Sequence, residues 1–279
     1  MRFYFLGDMG TGLHEQYLVS DALSSHIQMN KKPVFVCGLG DNIYERGCQS
    51  IDDKKFLTHF ENPYSKIPDS IPFYMCIGNH DYGNCDQGYQ FIQHQINYSN
   101  LSKKWKLPSN YYKFQKKNHG ITIDFFVIDT NLEFQPEQDI QKQLKQFIQW
   151  IQSSMADWKI VIGHHTWRSV AGHGNAEPEL ETFLTTLFTK APFDVYMCGH
   201  DHTKQLIQTK INKKDITMIV CGTGGKPYNY GNNYQNTPDL IFSSHNLGYG
   251  LCDARKNYLL FEFKDSQNHT EFKCQIKKT

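Results

Sequence analysis

Short runs of β-branched and aromatic residues recur along the chain, and nearly all close on a glycine turn. They are Arg2 to Leu6, Val34 to Cys37, Phe73 to Ile77, Ile121 to Ile128, Lys159 to Ile162, Val195 to Cys198 and Thr217 to Cys221. Short, near-continuous apolar runs of this kind predict strands buried on at least one face. A second period appears between them. Ile140, Leu144, Phe147, Ile148 and Ile151 recur at three- and four-residue spacing within Glu137 to Ile151, and Glu177 to Phe188 carries a similar pattern. Both predict helices with one apolar face. Strands alternating with helices predict an α/β core. Near the C-terminus, Tyr258 to Phe263 and Glu271 to Ile276 flank the polar turn Lys264 to Thr270, the pattern of a closing hairpin. Two long polar stretches, Gly83 to Tyr112 and Gly222 to Gly250, read as loops: either solvated connections or walls of a substrate mouth. With no Pro/Ser-rich linker, repeat or low-complexity tract, residues 1–279 are expected to form a single domain.

Composition narrows the classes of function. At 39% hydrophobic and 20% charged residues the chain is globular. Its 29 Lys and Arg against 28 Asp and Glu leave a net charge of +1, so no broad basic surface for nucleic acid is expected. No apolar run approaches the ~20 residues of a membrane span. The first apolar segment stops at Leu6, too short for a signal peptide, so the expectation is a cytosolic protein, or a secreted or lysosomal one whose signal has been removed. Among eight cysteines, Cys37, Cys76, Cys198 and Cys221 fall in strand-like runs and read as buried free thiols, which leans toward a reducing compartment. Cys48 and Cys85 lie in polar loops where a bridge is open.

The candidate chemistry is concentrated just after the strands. Gly7-Asp8-Met9-Gly10 follows the first, Gly40-Asp41-Asn42-Ile43-Tyr44 the second and Gly78-Asn79-His80-Asp81 the third; Gly163-His164-His165 and Gly199-His200-Asp201-His202 follow later ones. Segments leaving the carboxyl ends of strands in an α/β sheet converge on one rim, so all five turns can meet. Asp and Asn oxygens with imidazole nitrogens suit first-row transition metals rather than a thiolate zinc site. Asp8, Asp41, Tyr44, Asn79, His164, His200 and His202 make seven candidate ligands, enough for two ions when one carboxylate bridges. Taken singly, each motif is weak: a Gly-Asp is usually a turn. Five in order at five strand ends are not.

The ordered set Gly7-Asp8-Met9-Gly10, Gly40 to Tyr44, Gly78 to Asp81, Gly163 to His165 and Gly199 to His202 resembles the calcineurin-like metallophosphoesterases. Within them it is most similar to the purple acid phosphatases of the mammalian, tartrate-resistant type, because Gly-Asp-Asn-x-Tyr is their form of the second motif. The resemblance implies a four-layer αββα sandwich of two mixed β-sheets flanked by helices. It implies that Asp8, Asp41, Tyr44 and His202 hold Fe(III), and that Asp41, Asn79, His164 and His200 hold a divalent ion, Fe(II), Zn or Mn, with Asp41 bridging. His80 matches a position that contacts substrate phosphate, and His173 one that acts as general acid or orients the phosphate. The implied activity is acid phosphatase: hydrolysis of a phosphomonoester, small or on a phosphoprotein, by a metal-bound hydroxide. A phosphodiesterase or nucleotide-cleaving enzyme, and a non-catalytic binding module, are the competing readings. The chain departs from the family at His165, where an aromatic residue is common, and in the loop carrying Lys226, Tyr228, Tyr230 and Tyr234. At His165 a proton donor or anion contact and a neutral filler are both open.

Overall fold

The computed structural model describes residues 1–29, 34–83, 88–228 and 237–278. In chain order these form β1 (Arg2–Leu6), α1 (His14–Met29), β2 (Val36–Gly38), β3 (Phe73–Met75), α2 (Tyr89–Tyr98), β4 (Trp105–Lys106), β5 (Tyr112–Asn118) and β6 (Ile121–Val127). There follow α3 (Glu137–Ser153), β7 (Trp158–Ile162), α4 (Pro178–Lys190), β8 (Val195–Cys198), β9 (Lys204–Ile211), β10 (Lys214–Cys221), β11 (Leu240–Ser244), β12 (Gly248–Ala254), β13 (Tyr258–Asp265) and β14 (Thr270–Lys277). Two seven-stranded mixed sheets result, ordered β14-β13-β12-β1-β2-β3-β4 and β11-β9-β10-β8-β7-β6-β5. Strands β1 to β4 run parallel, as do β6, β7, β8 and β10.

The sheets pack face to face because successive side chains point to opposite faces and both faces are apolar. On β1, Phe3 turns inward to meet Phe125 of β6 edge-on at 5.2 Å, while Tyr4 turns outward to His26 of α1. In the second sheet Ile123, Phe125, Ile160, Ile162, Val195 and Met197 join the core between the sheets. The alternate residues Phe126, Val161, Tyr196 and Val220 instead pack with Phe147 of α3 and Leu184 of α4. The architecture is therefore α/β, two mixed sheets flanked by helices, as expected.

The two stretches read as loops hold more structure than that. Residues 83–112 contain α2 and β4, and 222–250 contain β11 and the start of β12. Helix α2 buries only Ile92 and Gln95, too few apolar positions to mark a face. Strand β12 is broken in sequence by Gly248 and Gly250, yet Gly250 is required: a Cβ there would stand 2.1 Å from the Phe5 ring. The seven described cysteines are free thiols; Cys85, and with it any bridge to Cys48, lies outside the described residues, as do Tyr230 and Tyr234. No helix among the described residues is long and apolar enough to cross a membrane.

The hairpin expected at the C-terminus is β13–β14, and Glu262 faces Lys273 directly across it. Burial works against the Glu262 charge, but Thr270 Oγ1 donates to it at 2.7 Å and Lys264 lies at 3.0 Å, which together hold its pKa down at about 2. A depressed carboxylate pKa contributes stability above the unfolded value near 4.5 that is lost as pH falls through the folded one. Urea unfolding of Glu262→Gln is therefore expected to show a deficit at pH 6 that shrinks from pH 4.5 and vanishes near pH 2. An unchanged deficit at both ends would refute that linkage.

Candidate metal centre

The parallel strands set the site. Their carboxyl ends deliver ligand turns from both sheets to one rim, and short backbone bonds join them: Asp8 N–H to the Gly40 carbonyl (2.9 Å), Gly7 N–H to Cys221 (2.8 Å) and Gly199 N–H to His164 (3.1 Å). Asp8, Asp41 and His200 adopt left-handed backbone, with φ of 55°, 53° and 68°. Such conformations cost about 1–3 kcal/mol each in non-glycine residues and persist where surroundings over-determine them. Here the turns are held by their own carboxylates: Asp41 Oδ1 accepts the His80 N–H at 3.0 Å and Asp8 Oδ2 the His200 N–H at 2.9 Å.

The side chains converge. Tyr44 OH lies 2.8 Å from Asp41 Oδ2, 3.1 Å from Asp8 Oδ1 and 3.5 Å from His202 Nε2, which is itself 3.4 Å from Asp8. On the other side, His164 Nε2 lies 3.3 Å from Asp41 Oδ1 and 3.2 Å from Asn79 Oδ1. Ligand atoms of Asp8, Asp41 and His164, all buried, fall within 4.8 Å of one another. His200 stands beside this group through ring contacts, 5.1 Å from His164 and 4.1 Å from His173. The His80 ring packs on Tyr44 at 4.3 Å, and its Nε2 is 3.9 Å from Asp41. A cavity of about 280 Å³ opens beside the cluster, walled by Asn79, His165, His173 and His200 and reaching Glu133 and Leu180.

Among the described residues, the ion pairs of Asp8 and Asp41 are all with histidines. Burial resists the Asp41 charge, but His164 outweighs it and holds the carboxylate below its usual range; reciprocally, Asp41 overcomes burial to raise His164 to about 9. Burial, then the charges of Asp41 and Asp8, push the Tyr44 phenol well up, so without a cation it stays protonated and donates to them. Burial and four neighbouring imidazoles, His165, His164, His173 and His202, keep His200 neutral, with its lone pair available. His164 Nδ1 contacts the Leu39 carbonyl at 2.8 Å, which orients Nε2 toward the carboxylate. Buried carboxylates, a phenol, an amide oxygen and imidazoles make a donor set that fits a transition-metal cation.

Several residues that organise the site stand inside the motifs but are not candidate ligands. Asp81 accepts N–H bonds from Gly78 (2.8 Å), Asn42 (3.0 Å) and Ile43 (3.1 Å), clamping the second and third turns together. Burial and the Asp41 charge raise its pKa to about 7. Asp201 accepts from Ser169 Oγ and from the His173 N–H (2.9 Å), fixing the loop that carries His173. The available signal is their place in the motifs, Asp81 closing Gly78 to Asp81 and Asp201 standing between His200 and His202. His165 bonds to Thr130 Oγ1 at 2.8 Å, packs on His200 and lines the cavity; burial lowers its pKa to about 3, which keeps the ring neutral.

Residues 1–204 match the calcineurin-like phosphoesterase model, and the chain belongs to that family. Within it the resemblance to purple acid phosphatases holds. Human tartrate-resistant acid phosphatase type 5 is 31% identical over 84% of this chain and 73% of its own length. The purple acid phosphatase PPD1 of yellow lupin shares the fold at a TM-score of 0.77 and 18% identity, covering 99% of this chain and 53% of that one. GAP50, the anchor in the inner membrane complex of Plasmodium, shares it at 0.85 and 21% identity, covering 100% of this chain and 89% of that one.

Glycine is required where turns meet ligands. A Cβ on Gly78 would lie 2.1 Å from Asp41 Oδ1, and one on Gly40 2.4 Å from His164 Nδ1. Gly78→Ala is expected to keep the sheet signal in circular dichroism yet lose bound metal at least about tenfold by elemental analysis, in the range seen when groups supporting a ligand are disturbed. Full metal content would refute the clearance argument.

Proposed function

We propose that this chain is a dinuclear-metal acid phosphatase acting on phosphomonoesters. The observation that carries the reading is the meeting of Asp8, Asp41, Tyr44, Asn79, His164 and His202 in one buried polar cluster at the shared rim. The fold alone does not favour it, since an anchor protein in Plasmodium shares that fold; the clustered donor set is what supports the reading.

In this reading Asp8, Asp41, Tyr44 and His202 hold Fe(III), and Asp41, Asn79, His164 and His200 a divalent ion, Fe(II), Zn or Mn. When bound, the two cations would neutralise the phosphoester and acidify a water. The remaining work belongs to the chain. His80 binds the phosphate: its Nδ1 contacts the Glu45 carbonyl at 2.7 Å, turning Nε2 toward Asp41 and the centre. His173, carried on the loop fixed by Asp201, faces the cavity beside His200 and protonates the departing alkoxide there. The substrate is a small phosphoester, or a phosphorylated side chain able to enter that cavity.

The purified protein is expected to hydrolyse p-nitrophenyl phosphate faster than bis-p-nitrophenyl phosphate and to lose activity with a strong chelator. Diester preference, or no turnover with metal bound, would overturn the assignment. Protonation matters most for a poor leaving group, so His173→Asn should slow an alkyl phosphate by about 100-fold but p-nitrophenyl phosphate only a few-fold. Equal losses on both would remove the general-acid role.

A further inference from the structure

One cation borders the donor cluster without belonging to it. Lys226 follows β10, and its backbone N–H donates to the Asp8 carbonyl at 3.0 Å, tying its segment to the first ligand turn. Its ammonium reaches Glu45 Oε1 at 2.9 Å and lies 4.6 Å from the centre of the Tyr44 ring. Glu45 Oε2 stands 3.7 Å from His80 Nδ1, and His80 packs on Tyr44. The ammonium is thus held over the Tyr44 ring and linked through Glu45 to the edge of His80. Two features separate this arrangement from ordinary surface pairing. Glu45 is 67% exposed, so the pair contributes little to cohesion of the fold. The Lys226 side chain is only 27% exposed and is fixed at its root, over an aromatic face that favours a cation.

We propose that Lys226 is a positioning residue for the phosphate end of the substrate, with Glu45 setting its effective charge. A phosphoryl dianion entering beside His80 competes with Glu45 for the ammonium, and the exposed carboxylate can turn to water. The inference rests on the phosphatase reading and adds to it a group outside the metal ligands. A purely mechanical latch between the two segments would respond differently: loss of either partner would then have the same effect. An electrostatic role gives opposite signs.

The test is calorimetric titration of inorganic phosphate into the metal-loaded protein at low salt, for the parent, Lys226→Met, Lys226→Arg and Glu45→Gln. Lys226→Met is expected to weaken phosphate about tenfold with an unchanged melting temperature, and Lys226→Arg to stay within about threefold of the parent. Glu45→Gln is expected to bind phosphate about two- to threefold more tightly, and all differences should shrink in high salt. In turnover, Lys226→Met should raise KM while kcat stays within about threefold. The proposal is overturned by a parent that binds no phosphate, by Lys226→Met matching the parent, or by Lys226→Met and Glu45→Gln weakening binding alike. If the phosphate pattern appears without phosphomonoester turnover, the catalytic reading falls and the Lys226 role stands. Turnover without the pattern removes the Lys226 role and leaves the phosphatase intact.

Discussion

Two carboxylates, Asp8 and Asp41, are removed almost completely from water at the junction of two sheets. Taking a charged carboxylate out of solvent costs several kcal/mol unless partners replace the lost hydration. The chain supplies those partners locally: the backbone N–H groups of His80 and His200, the Tyr44 phenol and the imidazoles of His164 and His202. The rest of the rim follows from meeting that requirement. Left-handed backbone at Asp8, Asp41 and His200 aims the donors, and glycines at 40 and 78 clear the space they need.

Much of this is legible in the sequence because burial on both faces leaves a strong trace. The strands β1, β3, β7 and β8, which build much of the rim, are runs rich in Phe, Ile, Val and Met that no polar position interrupts for long, and each is followed closely by a glycine and a candidate ligand. The ligand turns are also contiguous motifs, so their order along the chain survives folding into their order around the rim. Elements that lie at edges or are stabilised by a neighbour leave a weaker trace. Strand β5, Tyr-Lys-Phe-Gln-Lys-Lys-Asn, pairs among the described residues only with β6 and exposes alternate residues. Helix α1 buries Gln16, Ser20 and Ser24 alongside Val19, Leu23 and Ile27, so polar residues dilute the apolar stripe of its packed face.

The clamping acids show a further limit. Asp81 and Asp201 sit close to candidate ligands in the chain, and residue type alone does not distinguish a carboxylate that faces the centre from one that gathers backbone N–H groups behind it. That distinction is made by backbone direction. At Lys226 the difficulty is distance: nothing near it in sequence speaks of Tyr44 or Glu45, and only the return of the segment after β10 to the Asp8 turn brings them together.

The donor atoms divide by sheet. The carboxylates of Asp8 and Asp41, the Tyr44 phenol and the Asn79 amide all leave strands β1 to β3, whereas His164, His200 and His202 all leave β7 and β8. One layer contributes oxygen, the other nitrogen, and neither half is a complete coordination set. A cation held by both would act as a rivet through the seam of the sandwich, so its binding energy becomes cohesion between the layers. The loaded protein would resist parting along that seam, and stripping the ion would loosen first the joint on which the chemistry depends.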